Sequence, residues 1–448
     1  MKIHLDTKIH HPKLIAFLFS LEEIRLIPKD YKALIDAHLK NKTLKKEDGS
    51  LVTTHKTDKG KFTKVIFLCT GKKNDLSDTK ARNFAAKLAK AIMPNEEHEP
   101  TVVMPPSLQP HLAAFCEGLT MANFTPAIHK TGKEKKKLDR GLIREAILVA
   151  KKWTATHKKL ADTHTLIAEA VNETRKLVNN PPNIVSTETF AEEADKIATA
   201  NKYIIKIIEK RELQEMKMNA LLAVNRGSEH PAKLIILEHD AGRKGAPIVL
   251  VGKGLIFDTG GINLKPYGHI EDMQMDMAGS AVVLGIFRLL KKLKIKKRVI
   301  GVIPVTENSI GSKAQKPSEI ITTYSKKTVE VGNTDAEGRL ILCDAMNYAL
   351  KYKPRYMVDF ATLTGAVMVA LGYRAAGLFG NDEPLKKSLL KASAATDEGL
   401  VPLPINEADK EAVKGEFADL TNNPKGRVAG GARAAAFLQN FVDKTKWA

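Results

Sequence analysis

Cysteine is scarce: Cys69, Cys116 and Cys343 are the only three in 448 residues, far apart and with no CxxC pair. That spacing argues against a zinc ribbon or a disulfide framework and fits buried thiols in a reducing compartment. Tryptophan occurs twice and tyrosine eight times, so aromatic platforms for stacking single-stranded nucleic acid are thin. No run approaches the ~20 apolar residues that span a bilayer. Residues 14–21 are apolar but run into Glu22 and Glu23 without a small-residue cleavage site, so they read as a strand or buried turn. No membrane association and a cytoplasmic location are the expectation. Repeats with a period of roughly 20–50 residues are also missing, which argues against a solenoid.

What is present is an ordinary globular balance, 43% hydrophobic and 27% charged, in a chain long enough for two α/β domains. The formal net charge is +20, with basic clusters at 130–140 and 291–298. Such a balance permits nucleic-acid or anionic-surface contact, although solvated basic faces are the better account of it.

Along the chain, short apolar runs at 65–69 and 101–104 alternate with helical patterns at 81–93 and 111–121. This rhythm predicts a small N-terminal α/β domain over 1–160. From 143 to 178 the pattern predicts one long connecting helix, stopped by Asn179-Asn180-Pro181-Pro182. Ser186 is placed to cap the next helix, running to about residue 200. The larger domain, 161–448, then repeats strands (203–208, 233–237, 248–251, 299–305, 356–360) with helices at 279–293 and 338–352. Near-continuous apolar strands imply a central sheet covered on both faces, an α/β/α domain with ligands beyond the strand carboxyl ends.

The chemistry-bearing residues fall at those ends. After the strand at 248–251 come Lys253, Asp258 and Lys265, in a stretch that lacks the third glycine of GxGxxG and any Gly-Lys-Ser/Thr. Asp276 follows between methionines at a helix entrance, where alone it would read as a cap. Further on is Asn333-Thr334-Asp335-Ala336-Glu337-Gly338-Arg339-Leu340. If extended, it would project Asp335, Glu337 and Arg339 to one side and leave Ala336 and Gly338 as a small face for close approach. Asp258, Asp276, Asp335 and Glu337 sit at junctions of apolar elements, where converging carboxylates would repel strongly. Two divalent ions would remove that repulsion and could position a water for hydrolysis. With no HExxH and no His/Cys ligand set, the centre should be oxygen-rich. A lysine amine could join it only when neutral.

The octapeptide resembles the signature of the leucyl (cytosol) aminopeptidase family of two-metal exopeptidases. The resemblance extends through 252–265, 276–281, 304–307, 361–366 and 180–183, so it covers roughly residues 175–448. It implies that Asp258 and Glu337 bridge two ions (zinc, manganese or magnesium). Lys253 and Asp276 would complete the tighter site and Asp335 the exchangeable one. Lys265 would polarise the scissile carbonyl, and Arg339 would hold a bicarbonate acting as general base. Met273, Thr362, Leu363 and Gly365 match substrate-contacting positions. The implied substrates are peptides with a free N-terminus, leucine-like residues preferred, and the implied assembly is a homohexamer. Family members usually continue past the position of Trp447-Ala448 through one more strand and loop that line the first side chain's pocket. Arg433 stands where an apolar residue is more usual. His239 and His269 fall at no ligand position. Two other readings stay open: a basic scaffold or DNA-binding protein with secondary peptidase activity, and two-metal phosphoester hydrolysis, which gives no reason for a lysine ligand.

Overall fold

Apolar runs too short for helices become strands, and the helical periods between them cover the resulting sheets. The computed structural model describes residues 1–10, 12–58, 60–95, 97–240, 244–426 and 428–448. It divides into two compact units, Met1–Glu173 and Thr174–Ala448.

The first unit carries a six-stranded sheet in the order Lys2–Asp6, Glu145–Val149, Thr101–Val103, Leu14–Phe19, Lys61–Cys69, Leu51–Asp58. Only the last pair is antiparallel. Period-two alternation sorts the core: Leu14, Ala16 and Leu18 face the helices Asp78–Ile92 and Leu112–Ala122, while Ile15, Phe17 and Phe19 pack with Ile35 and Leu44 on the other side. The sequence was wrong about 143–178. A buried strand, Glu145–Val149, comes first, and the helix begins only at Ala155 and runs to Asn179. A run such as Ala146-Ile147-Leu148-Val149 is continuously apolar, and periodicity alone cannot separate a buried strand from part of a buried helix. The basic cluster at 130–140 forms an exposed helix, Gly132–Gly141.

The second unit is built on a mixed sheet in the order Tyr356–Phe360, Ile248–Gly252, Val299–Asn308, Lys233–His239, Ile204–Ile208. The first three strands are parallel, and the last two run antiparallel to their neighbours. Gly254–Asp258 continues beside the far end of Val299–Asn308 and brings Asp258 opposite Asn308. Val249, Val251, Ile300 and Val302 pack on one face with the helix Glu337–Ala349, and Leu250, Val299 and Ile303 on the other with the helices Thr187–Asn201 and Ala278–Leu290. Both faces are therefore covered, which explains why these strands read as continuous apolar runs. Met273–Leu290 is long and apolar enough to cross a bilayer by composition, yet here it leads into and forms a covering helix of this sheet. Ser186 caps Thr187–Asn201 through a capping box. At the opposite end of that helix Lys291 Nζ donates to Asn201 O, the favourable placement for a cation at a helix C-terminus.

Asp344, fully buried on the helix Glu337–Ala349, ties three segments together. Its Oδ2 accepts from the Ala220 and Leu221 amides at 2.9 and 3.1 Å, and its Oδ1 from the Tyr324 amide at 2.8 Å. It thereby caps the helix Asn219–Asn225, whose own N-cap residue, Met218, supplies no side-chain bond. Burial pushes its pKa up to about 7, with the three amide donors pulling the other way. A folded value above the unfolded carboxyl's about 3.9 means that this group's stabilisation is full below that pH and is lost as pH rises through about 7. Asp344→Ala should strand three buried N–H groups and cost about 3 kcal/mol. Urea unfolding would register this as a lower midpoint and a flatter pH dependence between about pH 4 and 7; an unchanged midpoint would rule the cap out.

Candidate metal centre

The carboxyl ends of the parallel strands carry the charged residues, and the backbone fixes each one before its side chain acts. Lys253 leaves the strand Ile248–Gly252 with its amide on Phe360 O and its carbonyl accepting from Ser280, both at 2.9 Å. Asp258 ends the strand Gly254–Asp258. The following turn uses Gly260 and Gly261 at φ +87° and +70°, where a side chain would be strained. It delivers Lys265, whose amide returns to Thr259 O. Asp276 lies on a 3-10 turn, Met273–Met277, that leads into the helix Ala278–Leu290.

The signature octapeptide is not an extended strand. Asn333–Ala336 forms a turn, and Glu337 opens the helix Glu337–Ala349, carrying Arg339 in its first turns. Asp335, Glu337 and Arg339 are therefore brought near one another by a turn–helix junction and not by strand alternation. The small side does admit a close neighbour, as the sequence suggested. A Cβ on Gly338 would sit 2.8 Å from Lys253 Cε and 2.9 Å from its Nζ.

Two lysines and four acids interlock. Lys253 Nζ lies 2.8 Å from Asp276 Oδ2 and 3.0 Å from Glu337 Oε1, and it donates to Thr362 O at 3.0 Å. Lys265 Nζ is 2.6 Å from both Asp258 Oδ2 and Asp335 Oδ1. Thr362 Oγ1 donates to Asp276 Oδ1 at 2.6 Å, so this expected substrate contact also orients a carboxylate. Asp258, Asp335 and Glu337 each place one oxygen within 4.8 Å of the others. Lys253, Asp258, Asp276 and Glu337 are all at most 5% exposed.

Burial raises Asp258, Asp276 (to about 7) and Asp335 (to about 6), with neighbouring carboxylates adding to the rise. Burial would lower Lys253, but Asp276, Glu337 and Asp258 hold it above the usual lysine range. Burial likewise opposes the charge on Lys265, and Asp258 and Asp335 raise it. Two ammonium groups offset only half of four carboxylates. Glu337 Oε2 is buried with no hydrogen-bond partner, while the equally buried Asp276 Oδ2 and Asp335 Oδ1 lie 2.8 and 2.6 Å from a lysine ammonium. Buried carboxylate charge in excess of the ammonium groups beside it fits a divalent cation. Arg339, 8% exposed, donates to Asn422 O and leaves its Nε unpartnered. Burial lowers its pKa to about 10, which leaves the guanidinium charged at neutral pH and suited to a planar anion.

Of the apolar positions, Met273 is half-buried on the turn of Asp276, Leu363 lies beside Gly338, and Gly365 is exposed at the start of the helix Gly365–Leu371. Sequence reasoning missed Asn308, Thr334 and Asn422. Fully buried Asn422 accepts from the Gly332 and Asn333 amides through Oδ1 and donates to Asn333 O and Ala336 O through Nδ2, clamping the signature turn. Thr334 bonds Gly260 O and the Asn263 amide, joining that turn to the Lys265 loop. The one available signal was polar residues at the ends of apolar runs. His239 bonds Ile295 O, a structural role. Arg433 holds the loop after Asn422 through Lys425 O at 3.0 Å.

Gly338→Ala forces the added methyl against the Lys253 amine, which Asp276, Glu337 and Thr362 O already hem in. It should displace that lysine and weaken metal binding on the order of 10-fold or more, the scale of disturbing a ligand's support. Calorimetric titration with Mn²⁺ reads this directly, and wild-type affinity in the variant would show that Lys253 can move at no cost.

Known proteins resemble this chain along most of its length. Residues 172–448 match the catalytic domain of the cytosol aminopeptidase family, and residues 20–133 match that family's N-terminal domain. A probable cytosol aminopeptidase of Bradyrhizobium sp. is 35% identical over 98% of this chain and 89% of its own. One from Geobacter sp. is 35% identical over 100% and 92%. Among solved structures the bottromycin maturation enzyme BotP superposes with a TM-score of 0.82 at 24% identity, covering 97% of this chain and 91% of its own. Its complex with Mn gives 0.81 at 25% identity. Matches of this extent over both units make the chain a member of the cytosol aminopeptidase family, a metal-dependent aminopeptidase.

Proposed function

We propose that the protein removes the N-terminal residue, leucine-like by preference, from peptides at a centre of two divalent ions (zinc, manganese or magnesium). The carrying observation is the surplus of buried carboxylate: two lysines balance only half the charge of four acids, and Glu337 Oε2 is buried with neither a hydrogen bond nor an ion pair. Asp258 and Glu337 would be shared between the ions, Lys253 and Asp276 would complete one site, and Asp335 the other. Bound there, the ions would supply Lewis acidity and an activated water. Lys253 must give up its proton to serve as a ligand, so cation uptake should release protons. Lys265 is placed to stabilise charge developing on the scissile carbonyl oxygen. Arg339, buried with its Nε unpartnered, would hold bicarbonate as the base. The substrate's free α-amine would complete the centre and limit cleavage to the first residue, while Met273, Thr362, Leu363 and Gly365 would border its side chain.

The acidic centre favours the peptidase over a basic scaffold or nucleic-acid binder. Val369 in the helix Gly365–Leu371 and Tyr373 just after it, 91% and 90% exposed, give an apolar surface that supports assembly, a hexamer by resemblance. Three free, buried cysteines suit a cytoplasmic setting. The test is leucine release with Mn²⁺ or Zn²⁺ from a free leucyl peptide and from its N-acetylated form. Only the free form should be cut. Equal cleavage of both would remove the α-amine from the centre.

A further inference from the structure

The two oxygens of Asp258 have unequal surroundings. Oδ2 faces the centre beside Lys265 Nζ, whereas Oδ1 accepts from the Gly260 amide at 2.9 Å and from Asn308 Nδ2 at 2.8 Å. Asn308 is the last residue of the strand Val299–Asn308, is 1% exposed, and lies opposite Asp258 in register. The same amide nitrogen donates to Thr334 O at 3.1 Å. Both neighbours are acceptors, so the amide must present nitrogen to them, and both of its hydrogens are used. The strand end does not need this side chain for its own pairing, because the Asn308 carbonyl already accepts from the Thr259 amide at 3.0 Å and from Thr259 Oγ1 at 2.8 Å.

We propose that Asn308 is a positioning residue of the metal centre. It ties off Asp258 Oδ1, which would leave Oδ2 as the oxygen available to cations, and it tethers the Thr334–Asp335 turn to the same carboxylate. A carboxylate with both oxygens free can chelate one ion or span two in several ways; one with a single free oxygen is restricted to that oxygen, so its approach to a cation is fixed. Asn308 also binds the strand that carries Asp258 to the turn that carries Asp335, two segments more than seventy residues apart in sequence. A small apolar residue would fill much of the volume but would supply neither donor. This role rests on the two-ion reading above.

The test is calorimetric titration of the full chain with Mn²⁺ for wild type, Asn308→Ala and Asn308→Asp, with thermal midpoints measured with and without the ion. Asn308→Ala should bind Mn²⁺ about 10–100-fold more weakly, the usual effect of losing a ligand's supporting hydrogen bond. Asn308→Asp keeps the shape but turns an oxygen towards Asp258 Oδ1 and Thr334 O, so it should lose more. In both variants the rise in thermal midpoint on adding Mn²⁺ should shrink, a change that a role in packing alone would not produce. Affinity within twofold of wild type in Asn308→Ala would overturn the proposal. Failure of both variants to fold would overturn it too, by making the amide part of the scaffold. If wild type itself takes up no Mn²⁺, it is the two-ion reading that fails.

Discussion

Lys265→Ala is expected to lower kcat by about 10²–10³-fold on a free leucyl peptide, the range for removing one donor to a developing oxyanion. The backbone around this lysine is held without its amine: its own amide bonds Thr259 O, and the Asn263 amide bonds Thr334 Oγ1. The variant should therefore stay folded, with a thermal midpoint close to wild type. In the side-chain arrangement itself the amine spans Asp258 and Asp335, where it balances charge that cations would balance instead. Raised above the ordinary lysine pKa, it remains protonated throughout the neutral range. Steady-state kinetics separate the outcomes. A fall in kcat with KM little changed fits transition-state stabilisation. A rise in KM alone would mean that Lys265 only binds substrate, and unchanged turnover would remove its role.

Glu337→Gln should have a larger effect. The substitution preserves shape at a 2% exposed position but removes a charge that lies within 4.8 Å of Asp258 and Asp335 ligand oxygens. Loss of an ion worth several kcal/mol of Lewis-acid stabilisation converts to a fall of about 10³-fold or more in kcat/KM. The helix Glu337–Ala349 should persist, since Leu340, Ile341 and Leu342 are buried in the core regardless of residue 337. In wild type, uptake should also depend on pH with a defined sign. Asp335 and Asp276 hold their protons up to about pH 6 and 7, and protons compete with cations for the same oxygens. Apparent affinity should rise with pH through that range and release protons as it does. Titrations in buffers of different ionisation enthalpy would report the release, and a flat pH profile would count against carboxylate ligation.

Much of the centre was legible because charge is costly to bury. Four acids at the ends of apolar strands had to share a common cation-rich place, and the fold brings Asp258, Asp276, Asp335 and Glu337 there with Lys253 and Lys265 between them. The local conformation was less legible. Alternation placed Asp335, Glu337 and Arg339 on one side of a strand, but a turn and helix start achieve the same convergence, because residue spacing does not fix backbone type over so short a stretch. The strand Glu145–Val149 was lost inside a helical reading for the same reason. Asn308, Thr334 and Asn422 were not visible at all. Their partners are mostly backbone groups, up to ninety residues away, and a polar residue of that kind shows its purpose only when the chain closes around it.

Every assigned role depends on whether distant carboxylates gather to hold two dications. Equilibrium titration of the metal-free chain with Mn²⁺ or Zn²⁺ measures this without reference to substrate. Two ions should bind per chain, with at least one lost in Glu337→Gln. A chain that binds none, or a Glu337→Gln variant that binds both as tightly as wild type, would contradict it.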